Sequence, residues 1–266
     1  MMDLEKLTNQ VCSLVMETGD FIHLEMKHLK VEDIETKSLH NLVTYVDKSS
    51  EELLIKRLSK LLPGAGFIAE ENDGLLSGEY TWVIDPLDGT TNFVHGVPIY
   101  SISIGLLHGD DVLLGVIYEI NQKECFYTWE SAPSYLNQNL IKVSSTTKLT
   151  DCLLATGFPY FDYGRLDEYL ILFRYLMQHS RGIRRLGSAA ADLAYVACGR
   201  FDGFYEYGLS PWDVCAGALL VKNAGGKVSD FRGDKNYLFG KEMIATNLLI
   251  YGELLKLFDS WKPTVI

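Results

Sequence analysis

No stretch of this 266-residue chain approaches the roughly 18 consecutive apolar residues that would suggest a membrane span, so insertion into a bilayer is not expected. Positive charge is also in short supply: 24 Lys and Arg stand against 35 Asp and Glu, a net −11. Such a surface repels a polyphosphate backbone, which argues against nucleic acid as the main partner. Cysteine is sparse and scattered. Cys12, Cys125, Cys152, Cys198 and Cys215 are odd in number and never spaced C-x-x-C, which fits reduced, buried thiols rather than a disulfide framework or a zinc site. The opening Met1-Met2-Asp3-Leu4-Glu5-Lys6 lacks the basic stretch and short apolar run of a secretory signal. These absences together predict a cytoplasmic globular protein, and no repeat or Pro/Ser-rich linker divides it.

The 47% hydrophobic residues are enough to fill a complete core. Leu4, Leu7, Val11, Leu14, Val15, Phe21 and Ile22 recur at helical spacing and predict a long amphipathic helix at the start. A polar connection around Glu35–Ser38 follows. Asp47-Lys48-Ser49-Ser50 suits the cap of a second helix carrying Leu53, Leu54, Leu58, Leu61 and Leu62, stopped by Pro63-Gly64. Strands are expected at Phe67–Ala69, Trp82–Ile84, Ile99–Leu107, Val112–Ile120 and Glu124–Trp129, with hairpin turns at Gly109-Asp110 and Asn121-Gln122. Further on, strands near Leu153-Leu154, Gly203–Tyr205 and Lys227-Val228 alternate with helices near 165–179, 188–198, 212–224 and 248–260. The expected class is α/β, a layered α+β sandwich with a more antiparallel half over 1–147 and an α/β half over 148–266.

The chemistry concentrates in Trp82-Val83-Ile84-Asp85-Pro86-Leu87-Asp88-Gly89-Thr90-Thr91-Asn92-Phe93. An apolar strand runs into two carboxylates, then a glycine and two hydroxyls. Pro86 stiffens the turn and holds Asp85 extended, while Gly89 lets backbone come close to a ligand. A helix starting at Thr90 would point free N–H groups at a phosphate. Ala69-Glu70-Glu71-Asn72 closes an earlier strand with two more acids, and Ser210-Pro211-Trp212-Asp213 opens a later helix ahead of Ala216-Gly217. Two bare carboxylates at 4 Å repel by about 4 kcal/mol at an effective dielectric of 20, so converging acids call for cations. Cations would also reconcile an acidic chain with an anionic substrate.

The glutamate pair, the D-P-x-D-G-T-T segment and the W-D before A-G occur in the order found in the inositol monophosphatase family, and from Lys37 to Gly226 the chain resembles that family. The resemblance implies alternating helix and sheet layers, a homodimer, lithium sensitivity, and magnesium-dependent hydrolysis of a small phosphate monoester, myo-inositol monophosphate first among them. It implies that Glu70, Asp85, Asp88 and Asp213 and the Leu87 carbonyl hold two or three Mg2+ ions. Asp47 would pair with Thr90 to orient the attacking water, with Glu70 in the catalytic set. Asp88, Gly89, Thr90, Gly187, Ser188, Ala189, Glu206 and Asp213 would contact substrate, and Lys37 would reach in from a loop.

Other readings stand beside this one. D-x-x-D-G-T-T is similar to the D-x-D-G-T motif of haloacid dehalogenase phosphatases, with one residue more between the acids, and a covalent phosphoenzyme would separate the two mechanisms. The substrate could instead be fructose 1,6-bisphosphate, histidinol phosphate or a phosphorylated nucleotide, or the chain a non-catalytic phosphate or magnesium sensor. His95 reads as structural or surface and Cys215 as core. The Arg181, Arg184 and Arg185 cluster could attract phosphate, but a solvated or subunit-contact face is the default reading.

Overall fold

The computed structural model describes residues 2–38, 41–71, 78–159 and 162–258, leaving aside the side chains at 31, 37, 38 and 41. Helix α1 (Leu4–Glu25) starts where the Asp3 carboxylate accepts from the Lys6 N–H at 3.0 Å, and it buries Leu7, Val11, Leu14, Val15 and Ile22. A short hairpin, β1 (Ile34–Ser38) and β2 (Asn41–Thr44), leads into α2 (Tyr45–Leu61), which buries Leu54 and Leu58. The hairpin occupies what the sequence suggested was a polar connection.

A seven-stranded sheet follows. It runs in the order β3 (Gly66–Ala69), β4 (Tyr80–Asp88), β5 (Ser101–His108), β6 (Asp111–Glu119), β7 (Glu124–Trp129), β8 (Tyr135–Leu136) and β9 (Asn139–Leu140). Only the β3–β4 pair is parallel. Strand alternation divides its side chains between two cores. Trp82, Ile84, Ile102, Ile104, Leu114, Val116 and Tyr118 meet α1 and α2, whereas Val83, Ile117 and Phe126 point the other way. The short α3 (Thr90–His95) sits between β4 and β5.

The second sheet has the order β11 (Gly182–Arg184), β10 (Leu153–Thr156), β12 (Gly203–Tyr207), β14 (Glu242–Asn247) and β13 (Gly226–Ser229). Its parallel pairs are β10–β11 and β10–β12. Helices α5 (Ala189–Ala197) and α6 (Pro211–Asn223) lie between the two sheets, and α4 (Leu166–His179) and α7 (Tyr251–Phe258) cover the outer face. The layers are therefore helix, sheet, helix, sheet, helix, the alternation that the family resemblance implies. Helix α6 approaches the first sheet closely because β5 and β6 present Gly105 and Gly115 there. A Cβ on Gly115 would stand 2.7 Å from the Ala216 carbonyl oxygen, and one on Gly105 would overlap Cys215. Cys215 is accordingly a buried packing residue, and His95 is exposed. No helix among the described residues is long and apolar enough to cross a membrane.

Candidate active site

Asp85 and Asp88 are three positions apart, and in a regular strand such side chains point to opposite faces. Here Asp85 pairs with Ser103 and Asp88 with Ser101, so β4 spends three residues where β5 spends two. This bulge turns both carboxylates to one side. Within it, the Leu87 N–H donates to Asp85 Oδ1 at 3.0 Å. Glu70 follows Ala69, which pairs with Ile84, so the parallel register sets Glu70 beside Asp85.

Helix N-termini supply the remaining supports. Ser210 caps α6, and its N–H donates to Asp213 Oδ2 at 2.6 Å. Ser188 caps α5; its hydroxyl and the Ala190 N–H both donate to Asp88 Oδ2, at 2.6 and 2.7 Å. Thr44, not Asp47, caps α2. Asp47 is the third helical residue and closes a capping box, its Oδ2 accepting from the Thr44 N–H at 2.8 Å and the Thr44 hydroxyl at 2.6 Å. That corrects the expectation that Asp47 opens the helix, and leaves its other oxygen free for Thr90. The Thr90 hydroxyl lies 2.8 Å from Asp47 Oδ1 and 3.0 Å from the Leu87 carbonyl oxygen. Gly89, with φ of +97°, makes the turn between β4 and α3.

Asp85, Asp88 and Asp213 each offer an oxygen, all within 4.8 Å of one another. The electrostatic consequence is large. Burial pushes Asp85 well above the usual carboxylate range, with the charges of Glu70, Asp88 and Asp213 adding to it. Asp213 is raised the same way, by burial and then by Asp88. Burial lifts Asp88 to about 6, against the pull of Ser188, Ala190 and Arg185. Such a cluster of hard oxygen donors, mutually repelling when bare, suits a divalent cation.

The acids open on a cleft of about 320 Å³ that also receives Glu70, Leu87, Gly89, Thr90, Gly187, Ser188, Ala189 and Glu206. Of the expected site residues whose side chains are described, all but Asp47 line it. Asp47 stands behind Thr90, and Lys37 lies on β1 with its side chain, like Asn72, outside the described residues. Glu206, on β12, is buried, and desolvation with the nearby charge of Asp88 lifts it to about 8, opposed by Arg185.

Four residues at or beside the cleft lie outside the expected site set. The three arginines do not form one face: Arg181 pairs with Asp151 at 3.0 Å, Arg184 is exposed, and Arg185 lines the cleft. Asp192, four residues past the Ser188 cap, is a buried acid in the same cleft. Gly157 touches Glu206 so closely that a Cβ there would overlap the carboxylate. Asn92 donates to the carbonyls of Ile99 at 2.8 Å and Leu186 at 2.7 Å, tying α3 to the segment before Gly187. The helical period of 188–198 was the only advance signal for Asp192.

The model of the inositol monophosphatase family matches residues 3–261. The chain belongs to the inositol monophosphatase family. Among its relatives, an inositol-1-monophosphatase of Mesorhizobium japonicum is 38% identical over 253 residues, covering 94% of this chain and 95% of that protein. The Nus factor SuhB of Pseudomonas aeruginosa is 39% identical over 267 residues, covering 98% of each. Of solved structures, the extragenic suppressor protein suhB of Bartonella henselae superposes with a TM-score of 0.88 at 35% identity, covering 97% of this chain and 98% of that one. The family is one of phosphatases that act on small phosphate esters, and the acidic cluster of this chain is a group that could hold a metal ion.

Proposed function

We propose that this chain is a magnesium-dependent phosphomonoesterase whose preferred substrate is a monophosphate of inositol. The observation that carries the reading is the joining, in one cleft, of the Asp85–Asp88–Asp213 cluster with a separate carboxylate, Glu206, turned to the same space. The cluster would hold the cations together with Glu70 and the Leu87 carbonyl. Bound magnesium supplies positive charge to the phosphoryl oxygens and makes water more acidic.

The chain's own groups supply positioning. Thr90, donating to Asp47, keeps lone pairs with which to accept a hydrogen bond from an incoming water, and Asp47 can take up the proton passed through that hydroxyl. Burial raises Asp47 above the usual carboxylate range, which improves it as a proton acceptor. The water oxygen then bonds to phosphorus as the bond from phosphorus to the ester oxygen breaks, and the departing alkoxide takes a proton from solvent water while Asp47 later returns its own to solvent. Glu206 reads the alcohol: its carboxyl can hydrogen-bond two neighbouring hydroxyls, accepting from one and, where it keeps its proton, donating to the other. Homodimer formation and lithium inhibition are carried over from the family likeness.

A second reading is favoured by one finding, the close relative whose name is that of a Nus factor rather than an enzyme. A non-catalytic binding role would tolerate loss of a ligand or of the Thr90–Asp47 pair, and here the set is whole. The test is phosphate release from myo-inositol 1-phosphate, fructose 1,6-bisphosphate, histidinol phosphate, a nucleotide 3′-phosphate and an aryl phosphate, in magnesium and in chelator. The highest kcat/KM is expected for the inositol ester, with nothing in chelator. Release from none of the five would replace the enzyme by the sensor, and a faster bisphosphate would replace the substrate.

A further inference from the structure

Asp192 has no evident structural role to justify its burial. It is 1% exposed, its helix neighbours Ala190, Ala191, Leu193 and Ala194 are all buried, and its Oδ1 receives no hydrogen bond among the described residues. An acid in the first turns of a helix gains from the dipole without being buried. Placing one in an interior position, unpartnered and near a second buried acid, is unfavourable unless a further group completes its hydrogen bonds. The strongest electrostatic neighbour is Glu206, followed by Asp88, with Arg185 opposing both. Asp192 and Glu206 line the same cleft, and Gly157, lacking a Cβ, makes room for the Glu206 carboxylate against it.

We propose that Asp192 is a specificity-determining residue which, with Glu206, forms a two-carboxyl clamp for the vicinal hydroxyls of a neutral polyol. This inference rests on the reading of the chain as a phosphatase whose alcohol end faces Glu206. Four acids, Glu70, Asp85, Asp88 and Asp213, would be matched by cations when these are bound, while Arg185 is the cation among the described residues that opposes Asp192 and Glu206. Two acids facing one guanidinium hold their remaining charge most cheaply by retaining a proton, and burial raises both groups in that direction. A clamp with one proton offers a donor and several acceptors, which is the complement of a diol. A second phosphate at the same place would meet two acids, so the clamp also selects against bisphosphates.

The clamp is tested with Asp192→Ala and Asp192→Asn, by kinetics on myo-inositol 1-phosphate and an aryl phosphate in saturating magnesium, and by thermal melting in chelator at pH 8. The alanine variant should raise KM for the inositol ester at least tenfold, with kcat and the aryl ester changed less than twofold. The asparagine variant, which keeps hydrogen-bonding capacity, should lose less. Both should melt higher than wild type without metal, since a buried acid without a hydrogen-bond partner is removed; an acid with a structural role would instead be missed by the fold. Equal losses on the two esters, an unaffected inositol ester, or lower melting temperatures for both variants would overturn the clamp. If the alanine variant does not fold, the asparagine variant decides by the same ratio. A wild type that cleaves other polyol phosphates but not the inositol ester overturns the inositol reading alone, and the ratio is then taken with the best polyol ester. A wild type that cleaves nothing overturns the phosphatase reading. The clamp then stands only if myo-inositol raises the melting temperature of wild type and not of Asp192→Ala.

Discussion

The Thr90 hydroxyl meets Asp47 Oδ1 at 2.8 Å across 43 residues of sequence, while the other oxygen of Asp47 is engaged by Thr44 at the cap of α2. One carboxylate thus fixes a helix and aims a hydroxyl. Because both oxygens are engaged, Asp47 has little freedom to turn, and Thr90 inherits that rigidity.

Thr90→Ala and Asp47→Asn should each lower kcat by roughly a hundredfold or more, with much smaller effects on KM, if the pair acts on the attacking water. Combined in one chain, the two substitutions should cost little beyond the worse of them, because they disable one unit. Steady-state kinetics of the four proteins checks this; multiplicative losses would assign the residues separate jobs.

Asp88→Asn should abolish magnesium-dependent turnover and leave the fold intact. A single oxygen, Oδ2, accepts from both Ser188 and Ala190, and an amide oxygen in that place can accept both bonds. Relief of repulsion within the acidic cluster should raise the melting temperature of the metal-free protein by roughly 2–4 °C per kcal/mol relieved. Calorimetry in chelator, beside activity in magnesium, reads both effects.

Glu206 makes metal-free stability depend on pH with a definite sign. Its folded pKa, about 8, lies above the ordinary 4.5, so the folded state holds the proton more tightly than the unfolded chain. The associated stability is complete below about 4.5 and is lost as pH rises through about 8. Denaturant midpoints in chelator should fall between pH 5 and 8, and Glu206→Gln should flatten that fall. An equally steep decline in the variant would move the effect to the other acids.

Gly115→Ala should destabilise the protein by about 1–3 kcal/mol, since the new methyl group would press on the backbone of α6 rather than on a movable side chain. Urea titration checks this, and the variant's turnover at saturating magnesium should stay close to wild type while it remains folded.

What the sequence disclosed depended on how local each feature is. D-P-L-D-G-T-T is contiguous, so its acids, its glycine and its hydroxyl could be named at once, and Asp213 could be placed by the helix start at Pro211. The bulge that turns Asp85 and Asp88 to one side was not visible, because it is a mismatch between β4 and a partner strand thirteen or more residues away. The interior strand β14 was missed for a related reason. Its Glu242–Asn247 segment is short, carries only Met243, Ile244 and Ala245 as apolar residues, and becomes buried only between β12 and β13. Arg185 looked like its neighbours Arg181 and Arg184 until the turn at Gly187, held by Asn92, aimed one arginine of the three inward. Asp192 could not be told from a solvated helix acid without knowing that both sides of α5 are covered by sheets.

That covering has a consequence for how such a chain can change over time. Helices α5 and α6 serve as the inner wall of both sheets, and their first turns hold Asp88 and Asp213. A break near residue 147 would leave one fragment with a bare glycine-lined sheet and an unsupported acid, and the other with helices lacking half their cover. Neither fragment would be a smaller version of the whole. Gene fission or exchange of one half would therefore strip cover from both sides of the seam at once unless both sides change together.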